Sequence, residues 1–249
     1  MREGKAVMNP THDEWLRTQV EAESYWFHRI ELRERLVTPG WSDPATDKLP
    51  HFGLPEDMTG MRVLDIGCAE GFFSFEAERR GAREVVSIDS FPDSIRRFNL
   101  CRDGLGSKAT GYLANVYELS PRTFGTFDLV MFFGVLYHLR HPLLALEKIF
   151  SVASGTVLLQ TANFEDPALG GESAAKFHPF GIQSGSAENP QFDPTVFWIP
   201  NGACIRDMLL HVGFVEVEEL NQNAGAVFRA SAPERKTGIP PDQSKAPWS

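Results

Sequence analysis

The sequence is short of features that define several large classes of protein. Its three cysteines, Cys68, Cys101 and Cys204, are widely spaced and form neither a Cys-x-x-Cys pair nor a Cys/His ligand pattern. We therefore predict no metal site, and the odd number favours a reducing, cytoplasmic setting over a disulfide framework. No apolar run approaches the roughly 18 residues of a membrane span. The start of the chain also lacks the apolar stretch of a secretory signal.

Positive charge is also scarce. The chain has 24 Lys and Arg residues against 33 Asp and Glu residues, for a net charge of −9. Proteins that bind nucleic-acid phosphates with release of counterions are normally basic. The negative net charge therefore disfavours a tRNA partner, unless a local basic patch supplies the cations. Apolar residues, by contrast, make up 42% of the 249 residues and include 19 Phe and 5 Trp, which excludes wholesale disorder.

Three regions differ in composition. Residues 1–58 contain a polar, helix-favouring stretch from Asp13 to Glu23 and an aromatic patch, Tyr25-Trp26-Phe27, and they predict an N-terminal extension or lid. Residues 59–230 alternate short apolar runs with amphipathic ones, as expected of a single domain. Residues 231–249 hold four prolines among polar residues and predict a flexible tail.

The middle region predicts an α/β fold. Apolar runs without alternation indicate strands that helices cover on both faces, which is typical of a doubly wound, Rossmann-like sheet. We predict seven strands, mostly parallel with an antiparallel edge, and ligand binding at their carboxyl ends. The strand runs are 62–66, 85–88, 111–113, 127–132, 157–160, 215–220 and 226–230, and the helical runs are 72–80, 92–105, 142–152 and 203–212.

A glycine-containing turn follows the first of these strands. It reads Asp65-Ile66-Gly67-Cys68-Ala69-Glu70-Gly71 and leads into a helix at Phe72. The glycines allow a sharp turn and close approach of a ligand to the backbone. Ala69 replaces the middle glycine of a dinucleotide fingerprint, and Asp65 and Glu70 would repel a pyrophosphate. NAD or FAD is thus a poor fit, and a ligand that brings a carboxylate and a cation fits better; an ordinary strand–turn–helix junction is the alternative.

A second acid ends the next strand. Asp89 stands 24 residues after Asp65, where a carboxylate can accept hydrogen bonds from both hydroxyls of a ribose. Asp89 could instead cap the helix that starts near Pro92.

With both acids in place, the chain resembles the class I S-adenosylmethionine-dependent methyltransferases. The resemblance rests on Val63–Gly71, Asp89, Phe127–Val130, Gly134–Leu139 with Pro142, and Gly213-Phe214. It implies S-adenosylmethionine as cofactor, with the glycine turn at the methionine moiety and Asp89 at the ribose. Asn115-Val116 would flank the adenine, where the family more often has Asp. The implied cofactor-binding residues are Asp65, Gly67, Cys68, Ala69, Gly71, Asp89, Ser90, Asn115, Val116, Phe133 and Tyr137.

A narrower resemblance lies in Phe133–Pro142 and Val196–Asn201. These segments are similar to the branch that transfers a methyl or carboxymethyl group to 5-hydroxyuridine at the tRNA wobble position, and to its small-molecule relatives. Enzymes of that branch that use the carboxylated cofactor need a cation for its extra carboxylate. The upstream stretch Thr38–Pro44 keeps a tryptophan but offers no lysine before Lys48, which favours plain methyl transfer, although His28-Arg29 could supply a cation.

The candidates for catalysis follow the fourth and fifth strands. Tyr137 could pack on the cofactor or orient the acceptor, and His138 could be a general base, or merely a hydrogen-bonded residue at a helix start. The segment 161–200 is long for a connection and predicts an acceptor-binding loop. Glu172 and His178 within it are further candidate bases, with a solvated loop position as the alternative.

We therefore predict a methyltransferase that acts on an oxygen, nitrogen or carbon of a small molecule such as a specialised metabolite or sugar. A tRNA wobble-uridine enzyme is the first alternative. The second is a catalytically silent cofactor-binding protein. Ala69 and Asn115 support it, because both depart from the residues expected at these positions. We expect Gly67, Gly71, Asp89 and Tyr137 to converge on one cofactor. The oligomeric state is left open, a homo-oligomer included.

Overall fold

The computed structural model describes residues 11–34, 36–186, 189–223 and 225–234. Seven strands form one sheet in the order β12-β13-β7-β6-β3-β4-β5, and all seven predicted strands are found in it. Parallel pairing joins β3 to β4, β4 to β5 and β6 to β7, whereas β13 is antiparallel to both β7 and β12. The mostly parallel sheet with an antiparallel edge is therefore confirmed. Its strands are β3 Arg62–Ile66, β4 Glu84–Asp89, β5 Thr110–Leu113, β6 Phe127–Phe133, β7 Ala153–Thr161, β12 Val215–Asn221 and β13 Ala226–Ser231.

The chain concentrates its contacts in two compact units, Met1–Val116 and Tyr117–Ser249. In the first unit, β3 and β4 carry almost continuous runs of buried residues, as expected of strands with helices on both faces. Two helices follow them, α3 Phe72–Arg79 and α4 Pro92–Leu105. Since β4 pairs with β3 through Ile66↔Ile88 and with β5 through Asp89↔Leu113, all three strands end at the same edge.

The N-terminal extension packs within the first unit. Its elements are α1 His12–Ala22, β1 Glu31–Arg33, β2 Leu36–Val37 and α2 Pro44–Asp47. Thr11 and Glu14 form a reciprocal capping box that fixes where α1 begins. Leu16 of α1 is fully buried, and a Cβ at Gly104 of α4 would come within 3.0 Å of it, so α1 lies close to α4. Trp26 is buried and its indole N–H donates to the carbonyl of Val20, which joins the aromatic patch to α1.

The second unit is built from β6, β7, β12 and β13 with three helices. These are α5 Pro121–Phe124, α6 Pro142–Val152 and α7 Gly202–His211. The central strand β6 is buried from Leu129 to Phe133, and β7 begins at Ala153, four residues before the predicted start at Val157. The small residues of 153–156 give no apolar run, which is why the pattern of the sequence missed them.

The long segment 161–200 is more ordered than a loop. It forms two antiparallel pairs, β8 Ala175–Phe177 with β11 Trp198–Pro200, and β9 Ile182–Ser186 with β10 Asn189–Asp193. Of the predicted tail, Ser231 belongs to β13, and residues 235–249 lie outside the described residues, as do residues 1–10 of the extension. Among the described helices, none is long and apolar enough to cross a membrane.

Candidate functional site

The glycine turn after β3 is tightly held by the backbone of the next strand. The amides of Gly67 and Cys68 both donate to the carbonyl of Ile88, at 2.8 and 3.1 Å, and the amide of Gly71 donates back to Cys68 at 2.7 Å. Gly67 and Gly71 have φ angles of 73° and 93°, in the left-handed region that glycine enters without cost. A Cβ at Gly71 would also lie 2.6 Å from the buried ring of Phe98, so both conformation and space demand glycine there.

Ala69 takes the left-handed conformation that the missing middle glycine would take. Its φ is 48°, and its amide donates to Oδ2 of Asp89 at 3.1 Å. A residue with a Cβ costs about 1–2 kcal/mol in this region, and the bond to Asp89 helps to hold it there. The substitution therefore leaves the turn in the same shape and does not support a silent protein.

Asp89 lies at the carboxyl end of β4 with both of its oxygens oriented by backbone amides. Oδ1 accepts from Phe91 at 2.9 Å, and Oδ2 accepts from Ala69. The side chain is buried, and this burial raises the pKa of Asp89, while the two amides and Arg97 act to lower it. Each oxygen keeps a lone pair, so the carboxylate can also accept from the two hydroxyls of a ribose. The Asp89 carboxylate thus orders the start of α4 and still has two oxygens that can accept hydrogen bonds from a ligand.

Asn115 and Val116 follow β5 at the same edge of the sheet. The amide of Ala114 donates to the carbonyl of Asp89 at 3.0 Å, which ties this segment to the end of β4. Val116 is buried, Asn115 is half-buried and Ser90 is exposed. The turn after β3, Asp89 at the end of β4 and Asn115-Val116 after β5 therefore lie at one edge of the sheet. Their roles toward the methionine moiety, the ribose and the adenine stay predictions.

The side chain of Asp65 is buried and hydrogen-bonded within the protein. Its Oδ2 accepts from the hydroxyl of Ser74 at 2.5 Å, and Ser74 accepts in turn from Ser87 at 2.8 Å. Burial is the main cause that raises the pKa of Asp65 to about 7, and it also raises the pKa of the Cys68 thiol well above its ordinary value. This oxygen of Asp65 therefore faces α3, and the repulsion of a pyrophosphate by Asp65 stays a prediction.

Glu70 also points into the protein, although it was predicted to repel a pyrophosphate at the start of α3. Its side chain is fully buried and accepts from the backbone amides of Phe27 and His28, at 2.9 and 3.2 Å. The Nε of Arg97 lies 3.3 Å from Oε1, and the Nδ1 of His28 lies 3.4 Å from Oε2. The turn thereby holds the N-terminal extension through one carboxylate.

Two basic side chains of the extension lie in this neighbourhood. Burial, and then the charge of Lys48, lower the pKa of His28 to about 3, so the imidazole is neutral. Burial lowers the pKa of Lys48 to about 8, while Asp47 and Glu70 act to raise it. The Nζ of Lys48 lies 4.3 Å from the centre of the Phe27 ring.

In the second unit, Tyr137 and His138 lie in a single helical turn just beyond β6. Phe133 is buried at the end of the strand, Gly134 follows with a φ of 71°, and the turn spans Leu136–His138. The centres of the Tyr137 and His138 rings are 4.1 Å apart. Burial raises the pKa of the Tyr137 phenol. The amide of Phe197 donates to the carbonyl of Tyr137 at 2.8 Å, which joins the turn to the segment 161–200.

His138 is bonded through one ring nitrogen. Its Nδ1 lies 2.9 Å from Oγ1 of Thr195 and 3.3 Å from the carbonyl oxygen of the same residue. The hydroxyl and the amide of Thr195 both donate to Oδ1 of Asp193, at 2.5 and 2.8 Å. Burial lowers the pKa of His138, against smaller raising effects from Asp193 and Thr195.

The other two candidate bases lie elsewhere in this segment. The amide of His178 donates to the carbonyl of Phe197 at 2.8 Å, so this residue is one strand away from the Tyr137 turn. Glu172 is exposed, and its carbonyl accepts from Asn201 at the start of α7. In the described part of the chain, neither side chain makes a hydrogen bond to Tyr137 or His138, so these two are not brought into that cluster.

A cavity of about 470 Å³ lies beside the same turn. Leu136 of the turn, Leu143 of α6, Trp198 of β11 and Met208 of α7 supply apolar lining, and Arg140 adds a cation. The volume is in the range of small-molecule sites, which are mostly apolar with a few polar groups.

Sequence reasoning missed Asp193 and Thr195. The Asp-Pro-Thr spacing is a turn signal, since an aspartate often accepts from the residue two positions on. Nothing in the sequence, however, reveals that this turn meets a histidine 57 residues away. Gly67, Gly71 and Asp89 do come together in the first unit, whereas Tyr137 belongs to the second, and its place at the cofactor stays a prediction.

Comparisons with known proteins agree on the class of this chain. A family model described as a methyltransferase domain matches residues 41–219. The tRNA U34 carboxymethyltransferase of Enterobacter sp. (strain 638) is 30% identical over 171 residues, which cover 68% of this chain. The chain spans about half the length of that relative, namely 48%.

Solved structures share the fold at lower identity. The N-terminal domain of EvdMO1, crystallised in the presence of SAH and D-fucose, has a TM-score of 0.63 and 20% identity, and the alignment covers 89% of this chain and 97% of that one. The 1,6-didemethyltoxoflavin-N1-methyltransferase of Burkholderia thailandensis, with bound 1,6-didemethyltoxoflavin and S-adenosylhomocysteine, has a TM-score of 0.50 and 16% identity, and the alignment covers 70% of this chain and 72% of that one.

Proposed function

The chain belongs to the class I S-adenosylmethionine-dependent methyltransferases, and from that premise we propose that its acceptor is a small molecule. The observation that carries the proposal is the cavity beside the Tyr137–His138 turn. Its volume of about 470 Å³ suits a metabolite, and its lining suits one with an apolar or planar body. Arg140 in its lining would pair with an acidic or strongly polar substituent.

The first unit would hold the cofactor. We assign the ribose to Asp89, the adenine to Asn115-Val116, and the methionine moiety to the turn from Gly67 to Gly71. When bound, S-adenosylmethionine supplies a strongly electrophilic methyl group. The protein then has to position the acceptor and exclude water, and positioning alone contributes roughly 7–11 kcal/mol.

The second unit would handle the acceptor. His138 would take the proton of an acceptor hydroxyl, since its lowered pKa keeps the ring neutral at pH 7 and able to act as a base. Tyr137, whose raised pKa keeps its phenol protonated, would donate a hydrogen bond that orients the acceptor. Of the two solved structures described above, one was crystallised in the presence of D-fucose and the other has 1,6-didemethyltoxoflavin bound, and these small molecules support the proposal.

An extract screen tests the proposal. Purified protein is incubated with isotope-labelled S-adenosylmethionine and a cell extract separated into metabolite and RNA fractions, and products are sought by the mass of one added labelled methyl group. We expect label in a small-molecule fraction, loss of that label with His138→Ala, and little change in cofactor affinity. A His12→Ala variant at an exposed position on α1 is the matched control. Label confined to the RNA fraction would refute a small-molecule acceptor.

A tRNA acceptor is the second candidate, and the similarity to the tRNA U34 carboxymethyltransferase supports it. The net charge of −9 opposes it, because binding through phosphates needs clustered cations. Filter binding with total tRNA separates the two acceptors. Tight, salt-sensitive retention together with a mass gain at the wobble uridine would favour tRNA, and retention no stronger than that of a matched acidic protein would exclude it.

A further inference from the structure

Asp193, Thr195 and His138 form a directional chain of hydrogen bonds. The order of donors can be read from the partners, because a carboxylate and a carbonyl can only accept. Oδ1 of Asp193 receives both the hydroxyl and the amide of Thr195, at 2.5 and 2.8 Å. The single hydroxyl proton of Thr195 is thus committed to the carboxylate, and Oγ1 faces the imidazole with a lone pair.

The imidazole must therefore carry a proton on Nδ1 and donate it to Thr195. Both atoms within reach of that nitrogen, Oγ1 and the carbonyl oxygen of Thr195, then act as acceptors, at 2.9 and 3.3 Å. An unprotonated Nδ1 would place its lone pair against theirs. In a neutral imidazole only one nitrogen carries a proton, so this arrangement leaves the lone pair on Nε2.

We propose that Thr195 and Asp193 are positioning residues that hold His138 in the Nδ1–H tautomer and so make Nε2 the basic nitrogen. The inference rests on the proposed function, in which His138 is the base for an acceptor hydroxyl. As the acceptor oxygen bonds to the methyl carbon, the carbon–sulfur bond breaks and its electron pair stays on sulfur. The acceptor proton passes to Nε2, and the imidazolium, paired through Thr195 with Asp193, later returns that proton to water.

The local structure supports a positioning role. Asp193 is the last residue of β10, Thr195 follows two residues later, and the backbone bond from Phe197 to Tyr137 fixes the next residues against the same turn. Tyr137 packs its ring 4.1 Å from the imidazole, which limits rotation of His138. The imidazole therefore has the Tyr137 ring beside it, tilted by 46°, and two acceptors at its Nδ1.

The tautomer can be measured without any acceptor. Nitrogen-15 correlation spectra of the histidine side chains at pH 8 distinguish a protonated from an unprotonated ring nitrogen. The signals of His138 are identified among those of the seven histidines by their loss in His138→Gln. We expect Nδ1 protonated and Nε2 unprotonated in the wild-type protein and in Thr195→Ser. In Thr195→Val and in Asp193→Asn the population should move toward Nε2–H.

Thr18→Val, at an exposed position on α1, is the matched control and should leave the His138 signals unchanged. A wild-type His138 protonated at Nε2 would overturn the proposal, and so would an unchanged Nδ1–H tautomer in both Thr195→Val and Asp193→Asn. A failure to find a small-molecule acceptor would count against the proposed function alone, because the spectra need no turnover. Once an acceptor is known, Thr195→Ser should restore turnover that Thr195→Val loses.

Discussion

Replacing Glu70 by alanine should destabilise the protein far more than its place in a surface turn would indicate. The side chain is fully buried and is the acceptor for the amides of Phe27 and His28. A buried donor left without a partner costs about 1–3 kcal/mol. Removal also leaves Arg97, whose Nε lies 3.3 Å from the carboxylate, as a buried cation without this partner.

The size of the effect follows from these contacts. Breaking a buried ion pair by removing one partner costs about 3–5 kcal/mol, and the losses overlap because the same carboxylate serves all three groups. We expect Glu70→Ala to lower the free energy of unfolding by about 3–5 kcal/mol, which is a large share of the roughly 5–15 kcal/mol of an ordinary domain. Glu70→Gln should lose less, because its carbonyl oxygen can still accept from one amide.

Urea unfolding followed by circular dichroism, extrapolated to water, measures this difference. Glu21→Ala, at an exposed position on α1, is the control and should stay within about 0.5 kcal/mol of the wild type. In a double-mutant cycle, Glu70→Ala should cost less when Arg97 is already methionine, since no cation is then stranded. A loss below about 1 kcal/mol for Glu70→Ala, with no coupling to Arg97, would refute the reasoning.

Three further changes test other parts of the site. Asp89→Ala should weaken the binding of S-adenosylmethionine by about tenfold or more, the worth of one charged hydrogen bond, and calorimetry would show an unchanged affinity if the assignment is wrong. Ala69→Gly should be neutral or stabilising by up to about 1 kcal/mol, because it relieves a φ of 48°; a clear loss of thermal stability would contradict this. Burial raises the pKa of Asp65 to about 7, so the protonated side chain is favoured in the folded protein. Its contribution to the free energy of unfolding is present at low pH and is lost as the pH rises from about 4 to 7. The stability of Asp65→Asn relative to the wild type should therefore grow over that range and level off above it, and a constant difference in unfolding experiments would rule out the raised pKa.

The sequence predicted the elements of the sheet well because they follow from local pattern. The apolar runs at 62–66 and 127–132 are buried on both faces and could hardly form anything but central strands. The place of Asp89 at the end of β4 was predicted from the same pattern, since parallel strands end at a common edge. The alternative role of Asp89 in the helix start is also present, through its bond to the Phe91 amide.

The contacts that sequence reasoning missed are distant along the chain. Glu70 meets Phe27 and His28, 43 and 42 residues away, and a charged residue in a turn is normally solvated, so nothing local indicates its burial. The β9–β10 hairpin has few strongly β-forming residues, and therefore gave no strand signal. These elements are specified by packing in the folded chain rather than by pattern.

The Tyr137 turn is fastened to the segment 161–200 by main-chain groups, through the Phe197 amide and, one strand further, the amide of His178. Every amino acid except proline offers the same amide, so most substitutions at these two positions leave the fastening intact. The side chains at positions 178 and 197 can consequently vary while the main-chain bonds of the turn are kept. A library randomised at these two positions, with Asp193 and Thr195 unchanged, is a direct route to variants with altered acceptor preference.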